Sequence, residues 1–416
     1  MQLIWAIAIF MRRNIPFGLS VSRSRRGPRP LPIAPPKPAE VTLEVVESLA
    51  AVAPDQWDRL TAGQPLLSHA FLHALHESGS AAPEAGWTPQ FLLLREQGNL
   101  AGALPLYLKA HSYGEYVFDW SWADAWQRAG RRYYPKLLSA IPFTPVTGPR
   151  LLAATPAQRS LLLRGALRFA RGAGVSTFHC LFPDDIQAEE MRAAGLMMRQ
   201  TVQFHWINEG FASFDDFLAR MSHDKRKKVK QERRKVREAG VTFEWKVGRD
   251  IGEADWRFFV ACYDNTYRQH HSTPYLNLDF FLRIGAEMPD NLLLVIGSRD
   301  GRPFCASLDV FSQEALWGRY WGTTGFVSGL HFETCYYQAI EFCIARGIGR
   351  FEGGAQGEHK LARGLLPVAT WSAHWIEDTD FAQAVQKFLA RESRGIESYV
   401  SELEEHAPFK QAPDGG

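Results

Sequence analysis

The residues best suited to chemistry lie together late in the chain, in Phe351-Glu352-Gly353-Gly354-Ala355-Gln356-Gly357-Glu358-His359-Lys360-Leu361-Ala362-Arg363-Gly364. Acids, a base, an amide and two cations this close together are poor material for a core. The glycines let backbone take positive φ or approach a ligand closely. Acyl transfer to an amine needs a base for the attacking nitrogen, donors for the oxyanion and an acid for the leaving group. Glu352, Glu358 and His359 can supply base and acid, and backbone N–H groups around Gly353, Gly354 and Gly357 can face the oxyanion. Lys360 is grouped with these catalytic candidates. It stands three residues before Arg363, so in a helical turn the two share a side and could clamp a phosphate or carboxylate. Gln356 is a candidate ligand contact. The bland alternative is a surface loop carrying solvated ion pairs.

Three other stretches could serve a site. Gly322-Thr323-Thr324-Gly325 through Gly329 opens a helix at His331-Phe332-Glu333 and could cradle a pyrophosphate; an ordinary loop fits equally. Residues 222–238 form a very basic helix whose Arg226, Lys230, Arg233 and Arg237 could track RNA or another polyphosphate. Apolar residues recur there only at Val229 and Val236, and Glu232 and Glu238 could make it a merely solvated face. The run from Tyr116 to Trp126, holding Asp119, Trp122 and Asp124, reads as a cleft wall or as an aromatic core edge with surface acids. No metal spacing is present: there is no CxxC or HExxH, and His270 and His271 are adjacent.

The elements that must present these residues follow from periodicity. Ile348 to Glu352 reads as the strand delivering the 351–364 stretch, after a helix over Phe332 to Ala345 ended by Gly347. Leu292 to Ile296, Pro303 to Phe311 and Ala315 to Trp321 read as a strand meander. Leu100 to Lys109 reads as one strand, and Phe381 to Ala390 as an amphipathic helix. Ala170-Arg171-Gly172-Ala173-Gly174 and Ala345-Arg346-Gly347-Ile348-Gly349 each end a helix and feed a strand, which suggests one plan used twice. The fold class is therefore α/β: a mixed sheet with helices on both faces, built from two like halves.

With 416 residues, 46% apolar and 22% charged, the chain is long enough for two globular domains. The expected division is a disordered or over-extended N-terminus over 1–40, domains over 41–207 and 208–395, and a tail over 396–416. A net charge of +2 gives no global field for nucleic acid. Five cysteines without paired spacing suit a reduced, cytoplasmic protein. Leu3 to Phe10 is too short to span a bilayer, and Arg12 and Arg13 follow it rather than precede it, so no integral membrane segment is expected.

Three stretches resemble the FemAB-like family of bacterial proteins, described as peptidoglycan biosynthesis or recognition proteins. They are Gly114-Glu115-Tyr116-Val117-Phe118-Asp119-Trp120, then Tyr320-Trp321-Gly322 with Leu330-His331-Phe332-Glu333, and finally Glu352 to Lys360 with Arg363-Gly364. The resemblance runs from about Val41 to about Pro408. It implies tandem domains of the GNAT acyltransferase fold and transfer of an acyl group from acyl-CoA, or an aminoacyl group from aminoacyl-tRNA, to an amine. No Gln/Arg-x-x-Gly-x-Gly/Ala loop is found, and the basic stretch is too short for a coiled-coil arm, so the donor stays open. The acceptor would be a small molecule or muropeptide, with possible tRNA contact through the basic helix. Tyr320, Trp321, Tyr337 and His331 would line the cleft, and Asp119 and Trp122 could face it from the first half. The other reading is a non-catalytic binder of peptidoglycan fragments or tRNA that uses the same loop.

Overall fold

The computed structural model describes residues 40–355, 357–406 and 408–409. The expected disordered segment, apart from Glu40, lies outside them, as do Gln356 and the last residues of the tail. The strands are β1 (Val41–Val46), β2 (Trp87–Pro89), β3 (Phe91–Glu96), β4 (Asn99–Leu104), β5 (Tyr107–Lys109), β6 (Lys136–Ser139), β7 (Leu152–Ala153), β8 (Thr177–Leu181), β9 (Met197–Ile207), β10 (Val241–Val247), β11 (Leu292–Arg299), β12 (Arg302–Phe311), β13 (Ala315–Thr323), β14 (Arg350–Ala355) and β15 (Leu366–Ile376). Among the described residues no helix is long and apolar enough to cross a membrane.

Two sheets result. The smaller has the order β1-β3-β4-β7 and the larger β10-β11-β12-β13-β14-β9-β15-β8-β6-β5-β2. The single strand expected over Leu100 to Lys109 is really two. Pro105 offers no N–H to a ladder, so β4 ends at Leu104 in the small sheet and β5 restarts in the large one.

In the large sheet β13/β14 and β6/β8 are parallel, and their neighbours are antiparallel. β9 closes the first half in sequence yet pairs with β14, while β15 closes the second half and pairs with β8. β9 and β15 also pair with each other over Leu366–His374. The halves thus exchange their final strands. Neither half can complete its own sheet edge alone, because the backbone groups of β8 and β14 are satisfied by the other half's strand.

One face of the second half packs Leu316, Phe351, Trp206 and Phe217 under a helix over 330–346. The other face packs Trp317, Leu308 and Leu294 against helices Glu253–Gln269 and Leu278–Glu287. The contact of Phe71 with Phe280, at 5.6 Å between ring centroids, carries this second layer into the first half. Gly322 is required by this packing: a Cβ there would sit 2.0 Å from the Cys262 carbonyl oxygen. Its role is close helix–strand approach. The basic helix His223–Glu238 buries Val229 and Val236, leaves Arg226 and Arg233 half-buried, and exposes Lys227, Lys228, Lys230, Arg234, Lys235 and Arg237. The C-terminal helix runs Thr379–Glu405, well beyond the expected Ala390.

Candidate active site

β13 and β14 run side by side only from Ala315–Arg350 to Trp317–Glu352, and then part. At that level β13 bulges: Leu308 faces Tyr320 and Asp309 faces Gly318, which leaves Arg319 without a partner. β14 also slips against β9 between Glu352 and Ala355. Bulges re-aim side chains and end pairing, and here they open a wedge floored by Gly353 and Gly354. A side chain at Gly353 would meet Leu365 at 2.7 Å and the Lys360 stem at 3.5 Å. Glycine is needed here for the close approach of Leu365, and the Lys360 stem packs over the same spot.

Glu358–Arg363 form a 3-10 turn, in which residues three apart eclipse. Lys360 and Arg363 therefore do share a side, as expected, but that side is the interior: they are 3% and 2% exposed. Lys360 Nζ donates to the Gly354 carbonyl at 2.9 Å. Burial pulls its pKa down to about 8, with the neighbouring Cys335 opposing. Arg363 is held differently. Its guanidinium lies 3.3 Å from the Phe332 ring centre, and it donates to Glu232 at 2.6 Å and to the His359 carbonyl at 2.5 Å. The Tyr337 hydroxyl donates to the same Glu232 carboxylate. Arg363 and Tyr337, expected at a ligand, instead bind the basic helix, because a buried guanidinium needs a countercharge.

His359 and Glu358 point outward. They line a cleft of about 590 Å³ with Val202, Phe204, Ile396 and Tyr399. His359 Nε2 lies 3.1 Å from the Tyr336 hydroxyl, and Tyr399 donates to Glu358 at 2.9 Å. Tyr336 belongs to a single π turn, Glu333–Tyr337, within the 330–346 helix; such turns interrupt the regular helix and recur at functional sites. His331 packs on Trp321 (4.7 Å) and Tyr336 (5.3 Å) and approaches His359 (6.2 Å). Burial, then the nearby cations Lys360 and Arg363, holds the His359 pKa below its ordinary value. Burial, with His359 next, takes His331 down to about 4. Both rings are neutral at pH 7.

Glu352 is 2% exposed and lies on the other side of the sheet. It pairs across β9 with His205, whereas the adjacent Phe204 lines the His359 cleft, and strand neighbours alternate faces. Glu352 accepts from Arg350 at 2.9 Å, and its Oε2 has no hydrogen-bond partner among the described residues. Burial pushes its pKa up to about 7, against the pull of Arg350. Asp309, 1% exposed beside the bulge, is pushed up to about 8 by burial. Single polar residues inside apolar strand runs gave no sequence signal for His205, Asp309 or Arg319, nor did anything single out Tyr399, and Glu232 was read only as a countercharge on the basic helix.

The remaining expected residues are scattered. Tyr320 faces Tyr263 and Phe281 on the Glu352 side, with its hydroxyl 3.4 Å from the Phe143 carbonyl. Asp119 and Trp122 belong to a separate buried cluster in the first half. Asp119 is not a surface acid: it is 3% exposed and takes hydrogen bonds from Lys136 and Tyr133. Trp122 stacks edge-on to His374 at 5.0 Å. On the basic helix, Arg233 is gripped by Glu333 and Glu341 at 3.0 and 2.8 Å, while Lys230 pairs with Asp215 at the surface. Arg237 is exposed and Arg226 half-buried.

A FemAB-like family model, described as peptidoglycan biosynthesis/recognition, matches residues 48–411. The chain belongs to that family. Solved structures similar to this FemAB-like chain include FemX, 10% identical with a TM-score of 0.52, covering 80% of this chain and 98% of that one. L-PGS from Bacillus licheniformis is 9% identical, with a TM-score of 0.50 and coverage of 81% and 97%. A tandem GNAT protein from the clavulanic acid biosynthesis pathway is 12% identical, with a TM-score of 0.44 and coverage of 82% and 99%. No curated protein matches the sequence. The FemAB-like chain shares its fold with FemX, and its parted β13/β14 pair lies in the second of the two halves.

Proposed function

We propose that this protein is a transferase of cell-envelope metabolism that moves an acyl or aminoacyl group to an amine on a peptidoglycan-derived acceptor. The observation that carries this reading is a buried ammonium, Lys360, in the strand wedge, directly adjacent in sequence to a neutral imidazole, His359, that lines an open cleft. The donor carbonyl would sit over the wedge, its oxygen toward Lys360. The acceptor nitrogen attacks the carbonyl carbon and gives its proton to His359. The C–O bond of an aminoacyl ester, or the C–S bond of an acyl thioester, then breaks, and His359 returns the proton to the leaving oxygen or sulfur. Lys360 supplies positive charge where negative charge develops, in a site shielded from water. We place the reaction in the cytoplasm, where such activated donors are made.

These protonation states fix the pH dependence. His359 must be neutral, and burial, then Lys360 and Arg363, hold its pKa below the ordinary imidazole value, so the acid limb lies below that of a free imidazole. Lys360 must be charged, so activity falls as pH rises through about 8. The expected kcat/KM profile is a plateau between these limbs. In Lys360→Arg the alkaline limb should disappear, since a guanidinium stays protonated there. Initial rates from pH 5 to 10 check this.

A second reading has one observation in its favour: Lys360 is covered, and its ammonium is bonded to Gly354, as in a site that recognises without reacting. Thermal-shift measurements with coenzyme A, acetyl-CoA, tRNA and muropeptides separate the two. A ligand at a hundred times its Kd stabilises by about 2.7 kcal/mol. Stabilisation by a donor and an acceptor supports transfer; stabilisation by muropeptide alone, or by tRNA alone, supports the binder. If tRNA binds through the outer face of the basic helix, Lys230→Glu with Arg237→Glu should weaken it and lower the slope of log K against log salt by about one per lost phosphate contact. Filter binding from 50 to 300 mM salt reads that slope.

A further inference from the structure

The loop between β5 and the helix Trp120–Arg128 turns aromatic rings to solvent: Tyr113 is 58% exposed, Phe118 52% and Trp120 36%. With Tyr116 they wall a pocket of about 240 Å³, and Tyr275 joins them from the second half of the chain. The loop's polar side chains are engaged inward. Lys136, fully buried, donates to Ser112 Oγ at 2.6 Å and to Glu115 Oε2 at 2.7 Å, and also bonds Asp119. The pocket therefore offers ring faces, among them Tyr113 and Trp120, which meet edge-to-face at 4.9 Å. The Tyr113 hydroxyl and the Trp120 indole N–H have no hydrogen-bond partner among the described residues.

Rings on a pinned loop, with donors beside them, match what a polyproline II helix presents. Its prolines pack on ring faces, and its unpaired carbonyls take the donors. One such sequence belongs to this chain, outside the described residues: Pro28-Arg29-Pro30-Leu31-Pro32-Ile33-Ala34-Pro35-Pro36-Lys37-Pro38. Charge agrees. Residues 1–39 contain no acid, and Arg29 stands among the prolines. Asp124 follows Trp120 by one helical turn, on the same face, and is exposed; Arg128 stands a further turn away.

Reach agrees too. β1 starts beside Glu40 and pairs at Val46 with Phe91, and β2 leads back to Trp87, from which a Cβ at Gly114 would lie 3.6 Å. That path is roughly nine strand residues, on the order of 30 Å. At about 3.1 Å per residue, polyproline II covers it in about ten residues, which brings Pro30 to the pocket. We propose that the aromatic pocket is the docking site of the chain's own residues 28–32, bound as a polyproline II helix with Arg29 toward Asp124. Because Tyr275 comes from the second half, the docked segment touches both halves. The proposal stands apart from the transferase reading.

Photo-crosslinking of the full-length protein, with p-benzoylphenylalanine in place of Leu31, tests it. Cross-links within one chain, mapped by mass spectrometry, should fall on residues 112–120 or beside Tyr275. Their yield should drop about tenfold in Trp120→Ala, since truncating an aromatic anchor is among the costliest changes at a binding site. Pro30→Ala with Pro32→Ala, and separately Arg29→Glu, leave the pocket intact and should each lower the yield several-fold, which separates lost docking from a folding defect. Cross-links spread over other surfaces, cross-links mainly between two copies, or a yield unchanged in all these variants overturns the proposal.

Discussion

Lys360→Ala should lower kcat by about 10²- to 10³-fold, the range found when one preorganised donor to an oxyanion is removed. The expectation follows from where the ammonium sits. It is 3% exposed, at the point where β13 and β14 part, with its stem packed over Gly353. There its field is not diluted by water, so its effect on developing charge is large. Burial lowers its pKa from 10.5 to about 8, so its contribution to stability is present at high pH and is lost as pH falls through about 8. At neutral pH the charged form is held at a cost. Lys360→Met should therefore leave the thermal midpoint unchanged or raised while lowering turnover as far as alanine does. Sites that hold strain for function show this opposition between stability and activity. Matched melting curves and single-turnover rates for wild type, Lys360→Met and Lys360→Ala measure it.

Lys136→Ala should destabilise the protein by about 3–5 kcal/mol, the usual cost of removing one partner from a buried ion cluster. Lys136, Glu115 and Asp119 are each almost fully buried. Burial, with Asp119 adding to it, pushes the Glu115 pKa up to about 7 even with the ammonium beside it. For Asp119 burial opposes ionisation too, but Lys136 and then His179 override it and leave the pKa below its ordinary value. Without Lys136 two carboxylates would face each other across a dry cavity, and the loop carrying Tyr113 to Trp120 would lose its anchor. The urea midpoint should fall with the slope unchanged. Adding Glu115→Gln to Lys136→Ala should recover part of the loss, because one of the two orphaned charges is gone.

The 351–364 stretch was legible as a site because its polarity contradicts its position between a strand and an apolar turn. The direction of its side chains was not. Whether Arg363 faces water or the interior depends on Glu232, 131 residues away, and no local pattern announces that pairing. A period of two names no partner, so the exchange of β9 and β15 between halves could not be read. Gly318 stands beside the bulge at Arg319, but one glycine in a strand run does not say which residue is left unpaired. Asp119 and Trp122 were grouped with the site because aromatic density suggests a cleft, while the lysine that claims Asp119 lies 17 residues further on in an ordinary-looking strand. Gly322 looked like part of a phosphate cradle; the helix backbone at Cys262 explains it instead.

The most direct measurement is the mass of an amine-bearing muropeptide after incubation with the purified protein and, separately, an acyl-CoA mixture or aminoacylated tRNA. An added mass equal to one acyl or aminoacyl residue, with one donor class and greatly slowed in Lys360→Ala, is the predicted result. An acceptor of unchanged mass with both donors, under conditions where it demonstrably binds, would contradict a transfer reaction at the β13/β14 wedge.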